Sequence, residues 1–209
     1  DLHLSIRRQR QMCIRDSGKS FICLAVRDSA YLNDQSPHLD WSHHNYRDCD
    51  IQNYILAAQK LTERGYYVIR MGAVVNKAIN SDNPMIIDYA TNGMRSDFMD
   101  IYLGAKCMFC ISNNMGFDGV PIIFRRPVVY VDTPQLKGIR TENINSISTI
   151  KGHWKSDESR FMTFLEMFES GAEKFEDSSE FEAMGIDLME SKPEEITALV
   201  IEMEERLNG

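Results

Sequence analysis

Three strand-like runs in this sequence end in residues suited to gripping an anion: FICLAVRDS (21–29), YYVIRMG (66–72) and CMFCISNNMG (107–116). Arg27 and Arg70 follow apolar runs too short for most helices, and Asn113-Asn114-Met115-Gly116 follows the third. A guanidinium is a planar, permanently charged fork that binds two phosphate oxygens at once. A Gly-containing turn that opens a helix adds unpaired N–H groups carrying partial positive charge. In an open α/β sheet such groups meet just beyond the carboxyl ends of the strands, where ligands bind. The chemistry expected there is recognition of a phosphorylated small molecule. Arg27 is followed by Asp28 and Ser29, where a pyrophosphate would lie, and Gly72 after Arg70 permits close backbone approach. Arg47, in HHNYRDCD, lies beside the next helix start and is within reach of the same crevice. Asn113 and Asn114 are suited to sugar hydroxyls. The competing readings are ordinary: a salt bridge for Arg27 and for Arg70, a solvated loop residue for Arg47, and a plain Asx-capped turn for the Asn pair.

Groups for proton transfer are less sharply marked. Asp28, His43 and Asp97 are the candidates for a catalytic base, with Asp88 and Asp100 as further carboxylates and His44 as a second imidazole. Asp97 and Asp100 also suit a helix start, where capping and the dipole already explain them. Adjacent histidines in a polar loop are more often solvated than catalytic. No metal site and no cofactor are expected. Cys107 and Cys110 form a C-x-x-C, but inside an apolar run without a second ligand pair, so buried thiols are the better reading. Gly18-Lys19-Ser20 mimics the end of a phosphate-binding loop, yet it precedes a strand and position 13 is Cys instead of Gly.

Positioning these residues requires alternating strands and helices. Strands are expected at 21–27, 66–71, 85–88, 107–112 and 127–131, and helices at 51–64, 98–105 and 117–124. That order predicts an α/β fold: a Rossmann-like parallel sheet with flanking helices and right-handed crossovers. Residues 135–156 read as a polar loop. Helices follow near 157–171 and 192–207, the second opened by a Ser191–Glu194 capping box. The expected division is 18–156 as the ligand-binding domain and 157–209 as C-terminal helices packing on it. Residues 1–17 stand apart: QMCIRDS (11–17) looks like the translation of a sequencing adapter at the edge of a metagenomic contig. The expected chain is therefore a fragment whose native sequence starts near Gly18 and continued upstream.

Composition limits the partners. The 209 residues are 43% hydrophobic, with no apolar run long enough for a transmembrane helix. At this size roughly 70% of the unfolded surface can be buried, so disulfides are not needed for a core. Five cysteines without a framework suit a reducing, cytoplasmic setting. Residues 18–155 carry a net charge of +2 and residues 156–209 a net charge of −12. A faintly basic half with an acidic tail does not suit a nucleic-acid binder.

Several blocks in one order carry a resemblance: AVRDSAYL (25–32), YRDCDIQNYILAA (46–58), GYYVIRMG (65–72), IIDYA (86–90), RSDFMDIYLGAKCMFCI (95–111), and PEEI with EMEERL (193–206). They resemble a family of bacterial glycosyltransferases linked to surface polysaccharide biosynthesis, over nearly everything from Phe21 onward. More distantly, the blocks are similar to the nucleotide-binding half of fucosyltransferase-like enzymes. The resemblance implies a GT-B architecture of which this chain supplies the C-terminal, donor-binding half. It implies a nucleotide-diphosphate sugar as donor and a carbohydrate acceptor. Diphosphate contacts would fall on Arg27 and on Asn113-Asn114-Met115-Gly116. The chain has VRDS where those enzymes carry a His-x-Arg-Arg, and Asn where they favour Ser. The acceptor half, and any peripheral membrane association, would belong to the missing upstream part. A non-catalytic nucleotide- or sugar-binding module, and an interaction protein docking through its acidic tail, are the rival readings.

Overall fold

The computed structural model describes residues 20–141 and 143–209. The suspected leader, with Cys13 and Gly18-Lys19, lies outside the described residues.

Strand β1 (Phe21–Ala25) is buried at every position, as a strand covered on both faces must be. Helix α1 (Ala30–Gln35) follows, then two 3-10 turns at Ser42–Arg47 and Ile51–Tyr54, and helix α2 (Ile55–Glu63). Asp50 caps the second of those turns by accepting from Gln52 N at 3.0 Å. Next come β2 (Tyr67–Arg70), β3 (Ile86–Asp88) and α3 (Asp97–Lys106), whose start is capped by Ser96 accepting from Met99 N. Strand β4 (Cys110–Ser112) leads through a 3-10 turn at Gly116–Asp118 into α4 (Gly119–Ile123), and β5 (Val128–Thr133) and β6 (Ile147–Ile150) close the first sheet.

All pairings in that sheet are parallel, in the order β3-β2-β1-β4-β5-β6. The protein is therefore α/β with a Rossmann-like sheet. Strand order reverses between β1 and β4, which places the ligand-binding crevice of this architecture at their carboxyl ends. One sheet face packs Leu24, Ile22, Val129 and Ile111 against α2 and the last helix, and the other packs Cys23, Ile69, Cys110 and Tyr130 against α3. Gly104 lies where α3 meets the β4–β5 connection: an added Cβ would sit 2.6 Å from Val120 Cγ1 and 3.2 Å from Phe117 Cζ. Gly104→Ala is thus expected to lower stability by about 1–3 kcal/mol, overpacking outweighing the gain in helix propensity. Urea unfolding of the two chains reads this directly.

The C-terminal segment departs from the expected run of helices. Residues 147–150 form β6, and β7 (Gly152–Lys155) pairs antiparallel with β8 (Arg160–Phe161) and β9 (Ile186–Met189) in a second, three-stranded sheet. The helix expected at 157–171 shrinks to α5 (Phe164–Ser170), because Arg160 and Phe161 are drawn into that sheet. Helix α6 (Ser178–Ala183) precedes β9, and α7 (Pro193–Asn208) returns to pack Ile196, Val200 and Met203 on the main core. Ser191 does not cap α7. Its hydroxyl donates to Asp132 Oδ1 at 2.6 Å, and the Lys192 N–H is instead taken by Glu195 Oε2 at 2.7 Å. Among the described residues, no helix is long and apolar enough to cross a membrane.

Candidate functional site

The structure brings Arg27, Arg47, Asn113 and Asn114 into one hydrogen-bonded group at the carboxyl ends of β1 and β4. Asn113 is fully buried: its Oδ1 accepts from Arg27 N at 2.8 Å, and its Nδ2 donates to Arg47 O at 3.1 Å. The amide therefore works as a strut across the switch point, enclosed by the protein on all sides. Asn114 adopts a left-handed conformation (φ 64°), which Asn tolerates better than most residues. It accepts from Arg47 Nη2 through its carbonyl at 3.0 Å and donates to Gly138 O at 3.2 Å. Gly116 is exposed and Met115 half-buried beside it. The helix that follows is a single short turn, so its dipole contributes little.

The two arginines of this group differ. Arg27 is buried, pairs with the Asp48 carboxylate and donates to His44 O. Burial is the largest influence on both partners: it lowers the Arg27 pKa and raises that of Asp48, while each charge pulls the other back. This pair has paid its desolvation without full compensation. Arg47 is half-buried, spends one N–H on Asn114 O, and has no carboxylate within ion-pair distance among the described residues. Its remaining donors are available to a ligand.

Arg70 is placed differently from the expectation. Its guanidinium is enclosed, donating to Asp88 Oδ1 at 3.2 Å and to Lys77 O at 2.9 Å. The parallel register explains this: Arg70 on β2 is the direct neighbour of Asp88 on β3. It anchors the 73–80 loop and does not face the crevice. Gly72 serves the same loop, since a Cβ there would meet Val75 Cγ1 at 2.7 Å.

The carboxylates among the proton-transfer candidates are engaged, whereas His44 Nδ1 is buried without a hydrogen-bond partner. Asp28 accepts from Ala30 N and from Asn76 N, both at 2.9 Å, and Ser29 Oγ accepts from Asn76 Nδ2. Asp97 is exposed and pairs with Arg95. His43 and His44 lie ring to ring at 4.1 Å, with Trp41 stacked on His44. Burial, then the charges of His43, Arg47 and Arg27, hold His44 below its ordinary pKa, so it is neutral near pH 7. Cys107 and Cys110 are buried free thiols. The sequence does contain an acid-x-acid run, Asp48-Cys49-Asp50. Both carboxylates are spent inside the protein, Asp48 on Arg27 and Asp50 on Gln52 N and Lys77.

Sequence reasoning missed Asp118. It sits just past the NNMG turn, buried, with neither carboxylate oxygen in a well-aligned hydrogen bond, although Ser112 Oγ and the Met115 backbone lie close enough to act on it. Burial pushes its pKa up to about 7, against the pull of Ser112, the Met115 backbone, Arg140 and Arg47. A further group, buried Cys49 and Asp132 with half-buried Glu190, was also invisible in order along the chain. An open depression lined by Met162, Glu166 and Met184 lies on the C-terminal segment.

Compared with protein-family models, with curated proteins and with solved structures, the chain matches none.

Proposed function

We propose that this chain is the donor-binding part of a glycosyltransferase, holding a nucleotide-diphosphate sugar at the β1/β4 switch point. The observation that carries the reading is Arg47: a half-buried guanidinium without a carboxylate partner among the described residues, fixed beside Arg27 at the ligand-binding edge of a Rossmann-like sheet. The Arg27–Asp48 pair supports it. A diphosphate oxygen can replace Asp48 as counter-ion while the freed carboxylate turns toward water. Preorganised guanidinium charge then stabilises the diphosphate as it departs from the sugar, the moment at which negative charge builds. The acceptor is a carbohydrate of the surface-polysaccharide class, by the family resemblance.

Arg47→Ala is expected to weaken binding of GDP, UDP or CDP, whichever binds the parent most tightly, by roughly 1.5–3 kcal/mol, the scale of a charge-assisted hydrogen bond. Thermal shift across the three nucleotides, followed by calorimetry on the best, measures it. Equal affinity in parent and variant contradicts the assignment.

A second reading, a non-catalytic nucleotide- or sugar-binding module, is favoured by one observation: Asp28 and Asp97 both have partners and His43 is packed against His44. Slow hydrolysis of a bound nucleotide sugar by this chain would argue against the module. Binding without any turnover, also when an upstream half is restored, would argue for it.

A further inference from the structure

We infer that Cys49, Asp132 and Glu190 form a binding site for a zinc-class divalent cation. The inference goes beyond the donor-binding reading and stands without it. The three side chains come from separate segments: the turn before α2, the end of β5 and the residue after β9. Their donor atoms lie within 4.8 Å of one another. Zinc ligands sit about 2.0–2.3 Å from the ion, which places donors roughly 3–4 Å apart, so closing the site needs side-chain movements of about 1 Å. One thiolate with two carboxylates suits a borderline-soft ion such as Zn²⁺ better than Mg²⁺ or Ca²⁺, which take oxygen alone.

The neighbouring groups are arranged as supports. Asp132 is held by Ser191 N at 3.0 Å and Ser191 Oγ at 2.6 Å, and Glu190 by Asp50 N at 3.0 Å and Asn53 Nδ2 at 2.8 Å. Both bonds to Glu190 land on Oε2, so Oε1 carries neither. Such outer contacts orient ligands at metal sites.

An independent observation points to something missing at the centre. The Tyr54 hydroxyl is buried and makes no well-formed hydrogen bond, the Cys49 thiol being the side chain placed to share one with it. Cys49, Asp132 and Glu190 are the groups whose charges act on it. A buried hydroxyl served this poorly is destabilising, and a metal-bound water or the ion itself would satisfy it. Lys151 opposes the ion: its ammonium, held by Asp48 O at 2.6 Å, is the largest positive charge acting on Cys49 and on Asp132. The cluster of Asp132, Glu190 and Lys151 still carries one net negative charge before the thiol ionises. Cys49 is a buried free thiol in the metal-free state. On binding, the S–H bond breaks, a metal–sulfur bond forms, and the proton leaves to solvent, with no change of oxidation state.

The test uses the full chain carrying Cys13→Ser, which removes the one thiol outside the described residues. Cd²⁺ is titrated into metal-free protein while the thiolate-to-cadmium charge-transfer absorption is followed, and Zn²⁺ affinity is then measured by competition. The band should rise to an endpoint at one equivalent and vanish in Cys49→Ser. Glu190→Gln should keep the band but weaken Zn²⁺ at least tenfold, since even outer contacts are worth roughly 10–100-fold. Absence of the band in the parent, its persistence in Cys49→Ser, or unchanged Zn²⁺ affinity in Glu190→Gln overturns the site. Should Cys49→Ser not fold, the parent band and the Glu190 variant decide between them.

Discussion

Asp88→Ala is expected to lower the free energy of unfolding by about 3–5 kcal/mol, because it strands the Arg70 guanidinium as an uncompensated buried charge. Arg70 is fully buried and its Nε already lacks a partner, so losing Asp88 leaves Lys77 O as its main acceptor. The same carboxylate also accepts from Ile79 N at 2.9 Å, which ties the 73–80 loop to β3. Replacing both members, Arg70→Met with Asp88→Leu, should recover much of the loss, since apolar side chains of similar size need no counter-charge. Denaturant unfolding of the parent, the single variant and the double variant checks this. A double variant no more stable than Asp88→Ala would show that Arg70 contributes through something other than its charge.

Asp118→Asn should stabilise the protein at pH 8 and have little effect at pH 4. The sign follows from linkage. The folded-state carboxyl, at about 7, holds its proton more tightly than the unfolded one, near 3.9. Between those values the folded state binds more protons, so stability falls as pH rises through the window and the penalty is complete above it. Each unit of difference is worth about 1.4 kcal/mol, so the loss across roughly pH 4–7 is on the order of a few kcal/mol. An uncharged amide of the same shape escapes it. Unfolding curves at pH 4, 6 and 8 measure the trend. A parent whose stability rises over that range, once other groups are subtracted with the variant, contradicts the buried, unpaired state of Asp118.

The sheet was legible where strands are apolar throughout. FICLAV and PVVYV are buried on both faces, and nothing else of that length explains them. Strand β6 was not legible: ISTI is only half-buried at the sheet edge, and its Ser and Thr blend into a polar loop. The small sheet hid for a related reason, since Gly152, His153 and the two-residue β8 give no periodic signal. At the site, Arg27 and the Asn pair were readable as strand-end chemistry and Arg47 only as a loop residue within reach of it, and the structure does gather them. Arg70 looked equivalent to Arg27 in sequence. What separates them is a neighbour in space: β3 delivers Asp88 alongside Arg70, and register cannot be read from either segment alone. Cys49, Asp132 and Glu190 were unreadable for the same reason, being brought together only by the packing of β5 and the chain before α7.

The donor-binding account is tested most directly by calorimetric titration of nucleoside diphosphates into the intact chain, with Arg47→Ala alongside. It predicts saturable one-site binding of at least one of GDP, UDP and CDP, weakened roughly tenfold or more in the variant. Heat signals absent for all three, or identical in parent and variant, would contradict it.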